Sequence, residues 1–64
     1  MTKMRITILR GEGDLKFIFP CRDLSEADLA AAWLSKISGF TVQLSTYEHI
    51  ERAVWHDGML ARVS

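Results

Sequence analysis

Residues 15–47, LKFIFPCRDLSEADLAAAWLSKISGFTVQLSTY, decide the fold. Leu15, Phe17 and Phe19 alternate with Lys16 and Ile18, the period-2 signature of a strand buried on one face. Pro20 has no N–H to give to a sheet ladder and is expected to end that strand. Ser25 and Asp28 then stand at capping-box spacing, with Asp in place of the usual Glu, so Ser25 is the expected N-cap. Leu24 and Leu29 would fall at the two positions of a hydrophobic staple. Asp23, Glu26 and Asp28 put negative charge at the start of the helix dipole, Lys36 puts positive charge at its end, and Gly39 suits a left-handed cap. The spacing predicts a helix over 26–38 whose buried stripe is Ala27, Ala30, Ala31, Leu34 and Ile37, flanked by Leu29 and Trp33. Phe40, Val42 and Leu44 alternate with Thr41, Gln43 and Ser45, giving a third strand.

Upstream, residues 2–10 alternate as well, with Met4, Ile6 and Ile8 on one face and Lys3, Arg5 and Thr7 on the other. Gly11-Glu12-Gly13-Asp14 links this run to Leu15 as a turn, so the two strands read as a β-hairpin. A helix returning after strand 2 makes strand 3 parallel to it. Strand 3 then pairs antiparallel with the free side of strand 1, which gives the order 2-1-3 with the helix on one face. Downstream, two readings compete for residues 46–56. Ser45 and Glu48 again have capping-box spacing, with Tyr47, Ile50 and Val54 on one helical face. Asp57-Gly58 between apolar residues is instead a two-residue hairpin signal, and this reading is preferred. The expected class is α+β, a single two-layer domain over residues 1–64. It has a β-hairpin, one α-helix and further antiparallel strands, as a ββαβ core with a C-terminal hairpin.

Composition narrows the function. A chain of 64 residues has a thin core and little room for a deep, water-excluding cavity, which favours a binding protein over an enzyme. Its hydrophobic content of 48% is too high for a disordered tail. A lone Cys21 rules out an internal disulfide framework, and no signal-peptide pattern or membrane-length apolar run is visible. A reducing, cytoplasmic setting is expected, with no membrane partner. The net charge is zero, which argues against sequence-independent DNA binding. The basic residues nonetheless concentrate in residues 1–22 and the acidic ones in residues 23–64.

Each chemical constellation has a plainer explanation. Cys21 as a nucleophile would need His49 or His56 as its base, and nothing places either within reach. The same residues match no short metal-ligand spacing, so neither a metal nor a cofactor is expected. Gly11-Glu12-Gly13 is followed by a strand, whereas a phosphate loop requires a helix. The candidate binding residues are of three kinds. Lys3, Arg5 and Lys16 with Tyr47 lie on the sheet face opposite the helix, together with Thr7, Ile18, Thr41, Gln43 and Ser45. Asp23, Glu26 and Asp28 form an acidic trio able to mimic phosphates, although capping already explains them. Trp55, like Trp33, would anchor an interface if left partly exposed.

In size, compactness and lack of active-site motifs, with residues 15–47 as a strand–helix–strand unit, the chain resembles the small host-takeover inhibitors of phages and mobile elements, the anti-CRISPR-type proteins. That resemblance implies a cofactor-free steric inhibitor. Its partner would be a larger protein or ribonucleoprotein complex that handles nucleic acid, such as a CRISPR or transcription complex. The alternative reading is a small nucleic-acid-binding regulator that uses the basic sheet face. The sequence leaves open whether the chain is a monomer or a dimer.

Overall fold

The alternation in the first strand is realised as β1 (Thr2–Leu9), whose Met4, Ile6 and Ile8 are buried on one face. A computed structural model describes residues 2–63 of the chain. β2 (Leu15–Cys21) pairs antiparallel with β1, α1 (Leu24–Ser38) follows, and β3 (Thr41–Thr46) pairs antiparallel with the other side of β1. β4 (Glu51–His56) and β5 (Met59–Val63) extend the same sheet, each antiparallel to its neighbour. The spatial order is β2-β1-β3-β4-β5. The expected order 2-1-3 is present within it, and the ββαβ layout with a C-terminal hairpin is corrected in its extent: the hairpin continues beyond β3, so one five-stranded antiparallel sheet carries a single helix. Residues 51–63 form the hairpin rather than a second helix, because Asp57 (φ 52°) and Gly58 (φ 78°) both take the positive φ that a type I′ turn demands.

One face of the sheet and one side of α1 form the core. Met4, Ile6 and Ile8 of β1 meet Val42 and Leu44 of β3, Cys21 of β2, and Ala27 and Ala31 of α1. Burying side chains such as Ile6 or Leu44 stabilises the fold by roughly 1.5–3 kcal/mol each. Alanines on the inner side of α1 keep that side flat, so the helix can lie close to the larger residues of the sheet. Ser35 is also fully buried there. Its hydroxyl donates to the Ala32 carbonyl at 2.7 Å and accepts from the Gly58 N–H at 2.9 Å, which ties α1 to the β4–β5 turn.

Several sequence expectations are corrected. Pro20 does not end β2; the strand runs to Cys21, with Pro20 opposite Lys3. β2 is an edge strand, where a missing N–H can face solvent without loss. The N-cap is Asp23, not Ser25: its carboxylate accepts from the Glu26 N–H at 2.9 Å, and Glu26 accepts in turn from the Arg22 N–H at 3.4 Å. Leu24 thereby lies inside the helix, and it and Leu29 are exposed rather than stapled. Ile37, expected inside, is 58% exposed, and Ser35 takes the buried position. Gly39, at φ 75°, closes the helix as expected, with its N–H donating to the Ser35 carbonyl at 3.2 Å.

Candidate functional site

The open face of the sheet, opposite α1, carries the residues that alternate out of the core. Along β1 these are Lys3, Arg5 and Thr7, and the register sets Arg5 between Ile18 of β2 and Ser45 of β3. Thr7 likewise lies between Lys16 and Gln43. Long residues around short ones leave a shallow depression of about 320 Å³, lined among others by Arg5, Thr7, Lys16, Gln43, Ser45 and His49. Tyr47 stands beside it, in the turn after β3. Arg5 donates from Nε to the Tyr47 carbonyl at 2.8 Å, and its guanidinium lies 4.7 Å from the centroid of the Tyr47 ring. This cation–π contact fixes the direction of the Arg5 charge.

Towards β5 the same face is electrically compensated. Arg62 donates to Glu51 from Nη2 at 2.8 Å and from Nε at 2.9 Å, while Gln43 donates to Glu51 at 2.8 Å. The Arg62 guanidinium is held above its ordinary range by these hydrogen bonds and by the charge of Glu51. Positive charge on the open face therefore concentrates over β1 and β2, at Lys3, Arg5 and Lys16.

The acidic trio is placed differently. Asp23 caps α1, Glu26 receives Arg22 at 3.1 Å, and Asp28 receives Arg52 through two hydrogen bonds. All three carboxylates are engaged within the chain, so their use as phosphate mimics finds no geometric support. Trp55 is only partly buried. It lies on the helix side of the sheet, opposite Val42, and packs against the core. Its Nε1 is buried without a hydrogen-bond partner among the described residues.

Cys21 is almost fully buried, and its Sγ donates to the Thr2 carbonyl at 3.5 Å. Burial pushes the thiol up, with Glu26 and Asp23 adding to the shift, so it is protonated at neutral pH. His49 sits in the turn before β4 and His56 ends that strand, with Nδ1 3.2 Å from the Thr41 hydroxyl. The two rings therefore occupy opposite ends of β4. Among the described residues no group of His, Cys, Asp and Glu is arranged to hold a metal ion. No helix among them is long and apolar enough to cross a membrane.

The sequence reading singled out Trp33 as an interface anchor but placed Ile37 in the buried stripe and Leu29 beside it, whereas all three are exposed on the outward side of α1. Leu29, Trp33 and Ile37, at i, i+4 and i+8, are 72%, 63% and 58% exposed. Beside them lies a groove of about 520 Å³ lined by Leu29, Ala30, Ala32, Trp33, Lys36 and Gly58. The signal was present as a second apolar stripe about 160° around the helix from the buried Ala27 and Ala31. No known protein family, curated protein or solved structure matches the chain.

Proposed function

We propose that the chain is a non-enzymatic, cytoplasmic protein-binding module. It lays the basic face of its sheet on an acidic surface of a larger complex and blocks that complex sterically. The observation that carries this reading is the separation of charge. Lys3, Arg5 and Lys16 share the open face over β1 and β2, while Asp23, Glu26 and Asp28 belong to α1 and are occupied by capping or by ion pairs. A pre-aimed Arg5 loses little conformational freedom on docking, which favours a rigid, directional contact. The open face also presents threonine, serine and glutamine side chains, suited to a polar protein surface. Single-stranded nucleic acid is the weaker fit, because such faces stack bases on two or three aromatics and Tyr47 alone stands here, its ring in contact with Arg5. The resemblance to anti-CRISPR-type inhibitors points to a nucleic-acid-handling machine, such as a CRISPR or transcription complex, as the target. The reading needs no cofactor.

The test is affinity capture from a nuclease-treated bacterial lysate, run in parallel with a Lys3→Glu/Lys16→Glu variant. The expected result is a stoichiometric protein or ribonucleoprotein complex held by the native chain and lost by the variant. Recovery of nucleic acid alone from an untreated lysate, released by nuclease or moderate salt, would transfer the reading to a nucleic-acid regulator. A partner held equally by both chains would remove the sheet face from the interaction.

A further inference from the structure

The outward side of α1 has the geometry of a self-complementary surface. Leu29, Trp33 and Ile37 span about 12 Å of helix, with the largest side chain in the middle and similar aliphatic residues on either side. Next to Trp33 runs the groove of about 520 Å³, whose small residues are Ala30, Ala32 and Gly58. A largely exposed indole therefore flanks a shallow, open groove that the small side chains help to line. A two-fold axis passing near Trp33 lays each indole against the shallow groove of the other copy, the arrangement of an isologous interface. We propose that this face is a dimer interface, occupied by α1 of a second copy running antiparallel.

Charge selects the orientation. Lys36 is the charged residue that lines the groove. A parallel pairing would set the two Lys36 ammonium groups side by side. In the antiparallel pairing, residue 33 faces residue 33, and Lys36 faces Ala30 of the second copy. The two ammonium groups are then about 9 Å apart along the helices.

Area sets the strength. Trp33, 63% exposed, leaves on the order of 150 Å² in water. The whole chain exposes 4323 Å², so a standard interface of about 800 Å² per partner would take roughly a fifth of its surface. A single helix face is smaller than that, and the dimer is expected to form in the micromolar range rather than the nanomolar. This proposal is independent of the sheet-face reading, because Lys3 and Lys16 lie on the opposite side of the molecule.

Sedimentation over concentrations from low micromolar to millimolar tests it. The native chain is expected to rise from 7.3 kDa towards twice that mass, while Trp33→Ala, an exposed change, stays monomeric with an unchanged circular dichroism spectrum. A native chain that remains at monomer mass at millimolar concentration overturns the proposal and leaves the face to a different partner. So does a Trp33→Ala chain that dimerises as well as the native one. Orientation is read by mixing Leu29→Cys and Ile37→Cys chains with a short bis-thiol crosslinker, with Cys21 buried and out of reach. The antiparallel pair yields the mixed product, Leu29→Cys joined to Ile37→Cys. Crosslinks only between like chains would overturn the antiparallel orientation.

Discussion

Arg52 and Asp28, 24 residues apart, meet through two parallel hydrogen bonds, Nε to Oδ1 at 3.2 Å and Nη2 to Oδ2 at 2.9 Å. Arg52 is the extra residue of a bulge in β4: Leu44 faces Ala53 while the adjoining Ser45 faces Glu51. The bulge re-aims one side chain of β4 towards α1. The forked geometry favours a real contribution, and side chains still 38% and 28% exposed limit it. A double-mutant cycle with Arg52→Ala and Asp28→Ala, followed by urea unfolding, is expected to give a coupling of about 0.5–1 kcal/mol. The coupling should shrink in high salt. A value near zero would make the bulge, not the pair, the feature that seats α1.

The capping assignment separates two neighbouring residues. Asp23→Ala removes the acceptor for the Glu26 N–H and is expected to destabilise the protein by about 1 kcal/mol. In a domain of this size that lowers the melting temperature by roughly 4–8 °C. Ser25→Ala, at an exposed position within the helix, should leave it nearly unchanged. Equal losses at both positions would show that the helix start is not fixed at Asp23.

Gly58 carries two constraints. Its φ is +78°, and an added Cβ would lie 3.3 Å from both Cβ and Cδ of Lys36. Gly58→Ala is therefore expected to cost about 1 kcal/mol or more, read as a reduced urea midpoint at constant slope. Asp57→Asn keeps a residue that tolerates positive φ and should be close to neutral. Because Gly58 also borders the groove beside Trp33, Gly58→Ala should weaken self-association as well.

Cys21 gives a pH dependence with a defined sign. Burial raises the folded-state pKa of the thiol, so between the unfolded and folded values the native chain binds more protons than the unfolded one. Its contribution is fully present below the unfolded thiol value of about 8.5 and is lost as pH rises through the folded value. Urea midpoints should fall above that pH in the native chain and fall less in Cys21→Ala. Alkylation of the folded protein at neutral pH should be slow and limited by opening of the structure. Rapid labelling would contradict the burial of the Sγ.

Local patterns carried much of the fold. Met4, Ile6 and Ile8 alternate, Asp57-Gly58 supplies the turn, and Gly39 closes the helix, each signal lying within a few residues. The errors arise where distant residues decide between local options. Asp23-x-x-Glu26 and Ser25-x-x-Asp28 are both capping patterns, and Arg52 draws Asp28 into its pair with β4. α1 has two apolar stripes, and its alanine side is buried because small residues let it approach the sheet. Ser35 is tolerated inside because its hydroxyl donates to the Ala32 carbonyl and accepts from Gly58, 23 residues away. Trp55 faces the helix because it follows the β4 bulge in the register. Of the candidate site, Lys3, Arg5 and Lys16 were legible from alternation. The Arg5–Tyr47 stacking depends on a turn that brings position 47 back over β1, and no short pattern encodes that.

The place of β1 between β2 and β3 has a consequence for synthesis. Met4 must find Thr46, across an intervening hairpin, helix and strand. As the chain leaves a ribosome, the β1–β2 hairpin emerges with one side of its inner strand open, and that side stays open until β3 has been made. The nascent hairpin exposes Met4, Ile6 and Ile8 during that interval. The stretch between Leu15 and Thr41 thus sets a window in which the unfinished protein depends on α1 to shield it.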